Sequence, residues 1–307
     1  MEETDVRLPG GPRLALRRTG PSLPLTGSAP AAGGPGRPFL LVHGLASNAR
    51  LWDGVAARLA AAGHPVVAVD QRGHGRSEAP GGGYDTQTCA EDLAALVDVL
   101  ALDRPVVAGQ SWGGNVVLTL AAGAPPRTVG AVCCVDGGWI RLSDRFSTFE
   151  DAWAVLAPPR FDGTSWAELE RWARTRYAGW PDGAADAALA NLRRTAGGGV
   201  CARLDRGHHR EILRSLHEGD PRALYPRVRV PVLLCPAVGP VPADGEEPGA
   251  RETRDAVREA LAALPDGRVS WYEGADHDLH AQHPDRLAAD LLALARSVAP
   301  RPAEGAA

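Results

Sequence analysis

A serine framed by glycines, Gly109-Gln110-Ser111-Trp112-Gly113, stands where an apolar run, Pro105-Val106-Val107-Ala108, gives way to a helix-like stretch from Asn115 to Ala122. Strand, tight turn and helix around G-x-S-x-G hold a serine hydroxyl out at the end of a sheet, where it can act as a nucleophile. Gly109 and Gly113 leave no Cβ where the chain reverses closely. Trp112 offers a backbone N–H at a helix N-terminus, where developing negative charge is favoured. The hydroxyl still needs a base within reach, and the base needs a third group to orient it. Among nine histidines, His277 is the best base, in Gly274-Ala275-Asp276-His277-Asp278 between the last strand-like run and the final helix. His43 and His74 sit in glycine-bearing turns and read as loop anchors. His64 precedes a strand, and His208, His209 and His217 fall in a helical block. His277, His280 and His283 are evenly spaced beside carboxylates but match no usual zinc motif, so no metal is expected. Asp276 and Asp278 read as solvated loop residues.

The elements that must position these groups alternate along the chain. Val6–Leu8 and Arg13–Arg17 read as short strands around a Gly-Gly-Pro turn, followed by a Pro/Gly-rich surface loop from Gly20 to Gly36. Phe39–Val42, Pro65–Val69 and Val129–Val135 are continuous apolar runs, as strands covered on both faces are. Asn48 is placed to cap a helix through Leu51, Val55 and Leu59, and Leu93, Leu96, Val97 and Leu100 mark an amphipathic helix. Strands alternating with helices predict a mostly parallel sheet with helices on both faces. The rhythm breaks after Trp139, and no convincing buried strand follows until Val228–Cys235. A helix over Arg251–Leu264, a strand over Val269–Tyr272 and a helix over Pro284–Val298 complete the pattern. The expected organisation is N-terminal strands and loop (1–36), an α/β core (37–138 and 227–300) and a helical cap (139–226). Five of the eight tryptophans, Trp139, Trp153, Trp166, Trp172 and Trp180, fall in or at the edge of that block. A tryptophan-rich lid over the strand ends suits an apolar pocket, with Trp139 and Trp153 as candidate substrate contacts.

The totals set bounds. A chain of 307 residues with 44% hydrophobic and 23% charged residues buries a sizeable core. A net charge of −4 gives no reason to expect nucleic acid or an acidic membrane as partner. All 33 basic residues are arginine, which removes Schiff-base chemistry by lysine. Cys89, Cys133, Cys134, Cys201 and Cys235 are odd in number and lack ligand spacing, so they read as buried small hydrophobes. With no signal segment and no bilayer-length apolar run, a cytoplasmic protein is expected.

His43-Gly44, Asp70-Gln71-Arg72-Gly73-His74-Gly75-Arg76-Ser77, the Ser111 turn and the closing Gly-Ala-Asp-His together resemble the α/β-hydrolase fold superfamily, in its branch with a helical cap. The resemblance covers nearly all of the chain beyond its first thirty-odd residues. It implies a nucleophile–acid–base order, and an oxyanion hole made by the backbone N–H of Leu45 with that of Trp112. The family most often places its acid after the strand that follows the cap, where this chain has glycine and prolines and then, late, Asp244. A minority uses an acid at the end of the strand before the cap, the position of Asp136. A carboxylate ending an apolar strand needs a partner, and His277 could supply it. Asp136 is therefore preferred and Asp244 is the alternative. The expected activity is a cofactor-free serine hydrolase cleaving a small apolar ester, thioester or lactone through an acyl-enzyme. The alternatives are carbon–carbon bond hydrolysis, or haloperoxidase-like perhydrolysis, on the same triad. A ligand-binding protein without turnover is a further one.

Overall fold

A computed structural model describes residues 1–22, 36–125, 128–239 and 248–298. Most of the Pro/Gly-rich loop, and Asp244, lie outside them. An N-terminal hairpin, β1 (Glu2–Arg7) and β2 (Arg13–Thr19), leads into β3 (Phe39–Val42). A short 3-10 turn over Ala49–Trp52 and α1 (Asp53–Ala61) come next, then β4 (Val66–Val69), α2 (Thr86–Val99), β5 (Val106–Gln110), α3 (Trp112–Gly123) and β6 (Ala131–Val135). The block between β6 and the next core strand holds α4 (Phe149–Leu156), α5 (Trp166–Arg176) and α6 (Ala184–Leu189). It also holds a hairpin, β7 (Leu192–Arg194) with β8 (Val200–Ala202), and α7 (Arg206–Glu218). The core resumes with β9 (Val232–Cys235), β10 (Ala237–Val238), α8 (Pro248–Ala263), β11 (Gly267–Val269) and β12 (Tyr272–Glu273). It ends with α9 (Leu279–Gln282) and α10 (Pro284–Ser297).

Eight strands form one sheet in the order β1-β2-β4-β3-β5-β6-β9-β11. The first two join antiparallel and the rest run parallel. Successive side chains of a strand face opposite sides, and the apolar runs fill both. Leu40, Val42, Val67, Val69, Val107, Val132 and Cys134 pack toward α2 and α3. Phe39, Leu41, Val66, Ala68, Val106, Ala108, Cys133 and Val135 pack toward α1 and α10. This explains why these strands read as unbroken apolar runs. The register aligns Val42 with Val69 and Gly109, and Gln110 with Val135. The carboxyl ends of β3, β4, β5 and β6 therefore lie side by side, and each leads into a motif singled out in the sequence.

Two details depart from the sequence reading. The block after β6 contains the β7–β8 hairpin, too short and too exposed to show as an apolar run. The strand expected over Val269–Tyr272 is split, β11 continuing the main sheet beside β9 and β12 pairing with β10. The block also shares the main core, since Ile212, Leu213 and Leu216 of α7 pack with core residues of α2. Among the described residues no helix is long and apolar enough to cross a membrane.

Candidate active site

Ser111 sits between β5 and α3 with φ +55° and ψ −126°, a backbone state costing about 1–3 kcal/mol that persists only when its surroundings impose it. The surroundings are backbone. A Cβ on Gly109 would lie 2.1 Å from the Gly113 carbonyl oxygen, and one on Gly113 would lie 2.5 Å from that of His43. The Ser111 N–H donates to Val135 O at 2.8 Å, tying the turn to the end of β6. Trp112 opens α3, where the first N–H groups of a helix lack partners within it. Its ring is fully buried, and Nε1 donates to Thr86 Oγ1 at 3.1 Å.

The residue after β6 is Asp136, also at positive φ (+45°). Its N–H donates to Cys235 O at 2.9 Å, and its Oδ1 accepts from the Ala237 N–H at 3.0 Å. Its Oδ2 faces Nδ1 of His277 at 2.5 Å, across 141 residues of sequence. Gly137 follows, where a Cβ would come within 2.0 Å of Ser111 O, so this strand end and the serine turn touch backbone to backbone. The His277 loop is fixed from beneath, because Gln110 Nε2 donates to the His277 carbonyl at 3.2 Å. Asp276 holds the loop to Arg176 at the end of α5 (2.5 Å). Burial lowers the basicity of the His277 ring, but the bond and charge of Asp136 outweigh it, aided by Asp278 and Asp276. The net shift is upward from the ordinary histidine value. The His277 side chain is 54% exposed. No hydrogen bond joins Ser111 to His277, and such contacts are often long before substrate binds.

His43-Gly44-Leu45 runs directly over Ser111, since a Cβ on Gly44 would lie 2.8 Å from Ser111 Cβ. Two buried histidines hold this loop. The Gln71 N–H donates to His43 Nε2 at 3.0 Å, so the ring proton sits on Nδ1 and donates to Gly44 O at 2.7 Å. The Ala46 N–H donates to His74 Nε2 at 3.2 Å, and His74 Nδ1 donates to Arg72 O at 2.9 Å. Burial pushes His43 down to about 4 and His74 down to about 3, so both are neutral near pH 7. The evenly spaced trio does not converge. His277 meets Asp136, fully buried His280 packs on Trp52 with ring centres 4.6 Å apart, and His283 lies near Tyr272. Among the described residues no group of three or more His, Cys, Asp or Glu is arranged to hold a metal.

A cavity of about 490 Å³ lies between the helical block and the core loops. Ala46 and Ser47, next along from Leu45, form its core side with His74, while Phe161, Trp172 and Tyr177 line it from the block. Ser111 and His277 are not among its lining residues, so it adjoins the serine turn through the His43–Ser47 loop. Nor are Trp139 and Trp153, the tryptophans expected to touch substrate. Trp139 packs against the main core, and Trp153 lies under the guanidinium groups of Arg206 (4.8 Å) and Arg210 (5.0 Å). Composition flagged tryptophans as a class. Which of them face a cavity depends on helix rotation within the block.

A mostly parallel sheet whose strand ends assemble a strained serine, a paired histidine and carboxylate, and a glycine loop defines a class of hydrolytic fold. The chain belongs to the alpha/beta hydrolase family, whose model matches residues 39–290. It is 28% identical over 294 residues to a non-heme chloroperoxidase of Streptomyces lividans, covering 85% of this chain and 92% of that protein. Among solved structures it is similar to an E-2-(acetamidomethylene)succinate hydrolase, with TM-score 0.71 and 24% identity over 96% of this chain and 100% of that one. It is also similar to a bromoperoxidase from Bacillus anthracis, with TM-score 0.68 and 18% identity over 96% and 100%. At these identities the structural likenesses speak for the fold.

Proposed function

We propose that the chain is a serine hydrolase acting on a small, largely apolar ester, thioester or lactone. The 2.5 Å contact between Asp136 and His277 carries the reading, because it orients a histidine from the strand end that lies against the strained serine. Ser111 Oγ attacks the acyl carbonyl and passes its proton to Nε2 of His277, the nitrogen left free when Nδ1 donates to Asp136. The oxyanion is received by the N–H groups of Leu45 and Trp112, a pair of donors of which either one is typically worth about a hundredfold to a thousandfold in rate. The imidazolium returns its proton to the leaving group. Water, deprotonated by the same ring, then releases the acid and regenerates Ser111. Residues 139–226 serve as a cap, and the cavity beneath it, within the usual size range for small-molecule sites, takes the part of the substrate away from the reacting bond.

Labelling with a serine-directed organophosphonate tests the reading. Wild-type protein is expected to form one adduct, at Ser111, and Ser111→Ala none. An unlabelled wild type that turns over no ester defeats the proposal. The relationship to a non-heme chloroperoxidase favours one second reading, in which hydrogen peroxide replaces water at the acyl-enzyme and leaves as a peracid. Peracid formation exceeding ester hydrolysis at equal acyl-donor concentration would select it.

A further inference from the structure

The charged residues that line the cavity under the helical block are Arg160 and Arg203, and no carboxylate lines it. The walls around them are apolar, with Phe161, Leu169, Trp172 and Leu204 among them. Arg203 is docked in place: its Nε donates to Ala190 O at 2.8 Å and its Nη1 to Gly75 O at 3.3 Å. Both acceptors are neutral backbone oxygens, so the guanidinium is oriented without its charge being met. Arg160, on the α4–α5 connection, has no hydrogen-bond or ion-pair partner among the described residues. Arg174, Arg210 and Arg222 of the same block each hold a carboxylate.

Resting on the hydrolase reading for the position of the scissile bond, we propose that the substrate carries a carboxylate on the portion lodged under the helical block. Arg160 and Arg203 receive it. An anchored guanidinium presents its remaining N–H groups in a plane that matches a carboxylate. The cavity starts at Ala46, one residue past the proposed oxyanion donor Leu45. The carboxylate is thus separated from the reacting carbonyl by a short apolar spacer, and the substrate is a half-ester or half-thioester of a dicarboxylic acid, or an ester whose alcohol bears an acid.

Matched substrates test this. On the acyl side, 4-nitrophenyl hydrogen adipate is compared with its methyl ester. On the alcohol side, the hexanoate of 4-hydroxybenzoic acid is compared with that of its methyl ester. In at least one pair the wild type is expected to favour the anion in kcat/KM by about tenfold to a hundredfold, the usual worth of a charged hydrogen bond. Arg160→Gln and Arg203→Gln should each lower that ratio by about tenfold. Because the readout is a ratio within one variant, partial misfolding of Arg203→Gln cancels, and Arg160→Gln breaks no bond of the protein. Calorimetric titration of Ser111→Ala with monomethyl against dimethyl adipate gives the same comparison without turnover. Ratios near one in both pairs and equal affinities in the titration overturn the inference while a labelled Ser111 leaves the hydrolase reading standing. Preferential binding of the anion by a protein that is never labelled supports the site and removes the hydrolase.

Discussion

At the scale of single residues, the proposed chemistry turns on Asp136. It holds His277 Nδ1 through Oδ2 while its other oxygen is fixed by the Ala237 N–H. Asp136→Asn keeps the size but removes the charge, and the amide can present its NH2 to the ring and favour the wrong tautomer. Ester turnover is expected to fall by about a thousandfold or more, whereas Asp244→Asn should change it less than about twofold. Rates for the two variants side by side decide which carboxylate is the acid, and the reverse outcome would move the assignment to Asp244. The pH dependence follows the same contact. His277 must be neutral to accept the serine proton, and Asp136 and its acidic neighbours hold its pKa above the ordinary value. Activity should therefore decline as pH falls through that raised pKa. In Asp136→Asn the acid limb of the profile should move to lower pH, since the charge that stabilised the imidazolium is gone.

At the scale of elements, the site is a meeting of strand ends, and two connections make it specific. Gly137 lets the exit from β6 lie against the serine turn. Gly137→Ala would force a methyl group to within 2.0 Å of Ser111 O. Relief requires backbone movement, so a loss of about 1–3 kcal/mol is expected, with organophosphonate labelling of Ser111 slowed about a hundredfold by misplacement of the hydroxyl. Denaturant unfolding and labelling rate on the same preparation check both. The second connection, Arg176 to Asp276, joins α5 to the His277 loop. It is partly exposed, so its stability worth is small, but it compensates a negative charge beside His277. Arg176→Gln should shift the acid limb of kcat/KM upward in pH, opposite to Asp136→Asn, and Arg176→Lys should restore it. An unshifted profile would mean the pair only ties the block down.

These elements differ in how far they could be read from sequence. Buried parallel strands announce themselves as apolar runs, and G-x-S-x-G fixes the serine turn by local backbone need. Asp136 was legible because a carboxylate closing the run Val129–Val135 calls for a partner, and His277 because of its place after the last strand. The Arg176–Asp276 pair was not, being a contact between surface residues 100 positions apart with no local signature. Nor was the identity of the cavity-lining aromatics. Phe161, Tyr177 and Trp139 lie on connections, and Trp172 and Trp153 on short helices; a stretch so broken by Gly and Pro does not encode as a clear period which of them faces inward.

At the scale of the whole molecule, the loops over Ser111 and the wall behind them depend on histidines that are buried and neutral. His43 is held down to about 4, His74 and His280 to about 3, in each case first by burial. In the unfolded chain each returns to a value near 6.5. Between pH 6.5 and about 4 the unfolded state therefore binds more protons than the folded one. A group with this sign contributes stability that is complete above its unfolded pKa and is lost as pH falls. These three groups alone give a slope approaching three protons, or about 4 kcal/mol per pH unit in the steep part of the window, and His209, also lowered to about 4 by burial, adds to it. His277, raised rather than lowered, works in the opposite direction and offsets at most one of them. A domain with the usual margin of about 5–15 kcal/mol should therefore lose most of its stability between pH 6.5 and pH 4. Urea midpoints at pH 7.5, 6.0 and 5.0 measure this, with the steepest fall expected below pH 6. His280→Phe keeps an aromatic ring against Trp52 without a proton to take up, and should flatten the slope by about one proton. An unchanged slope in that variant would show that His280 is not among the groups that drive acid unfolding.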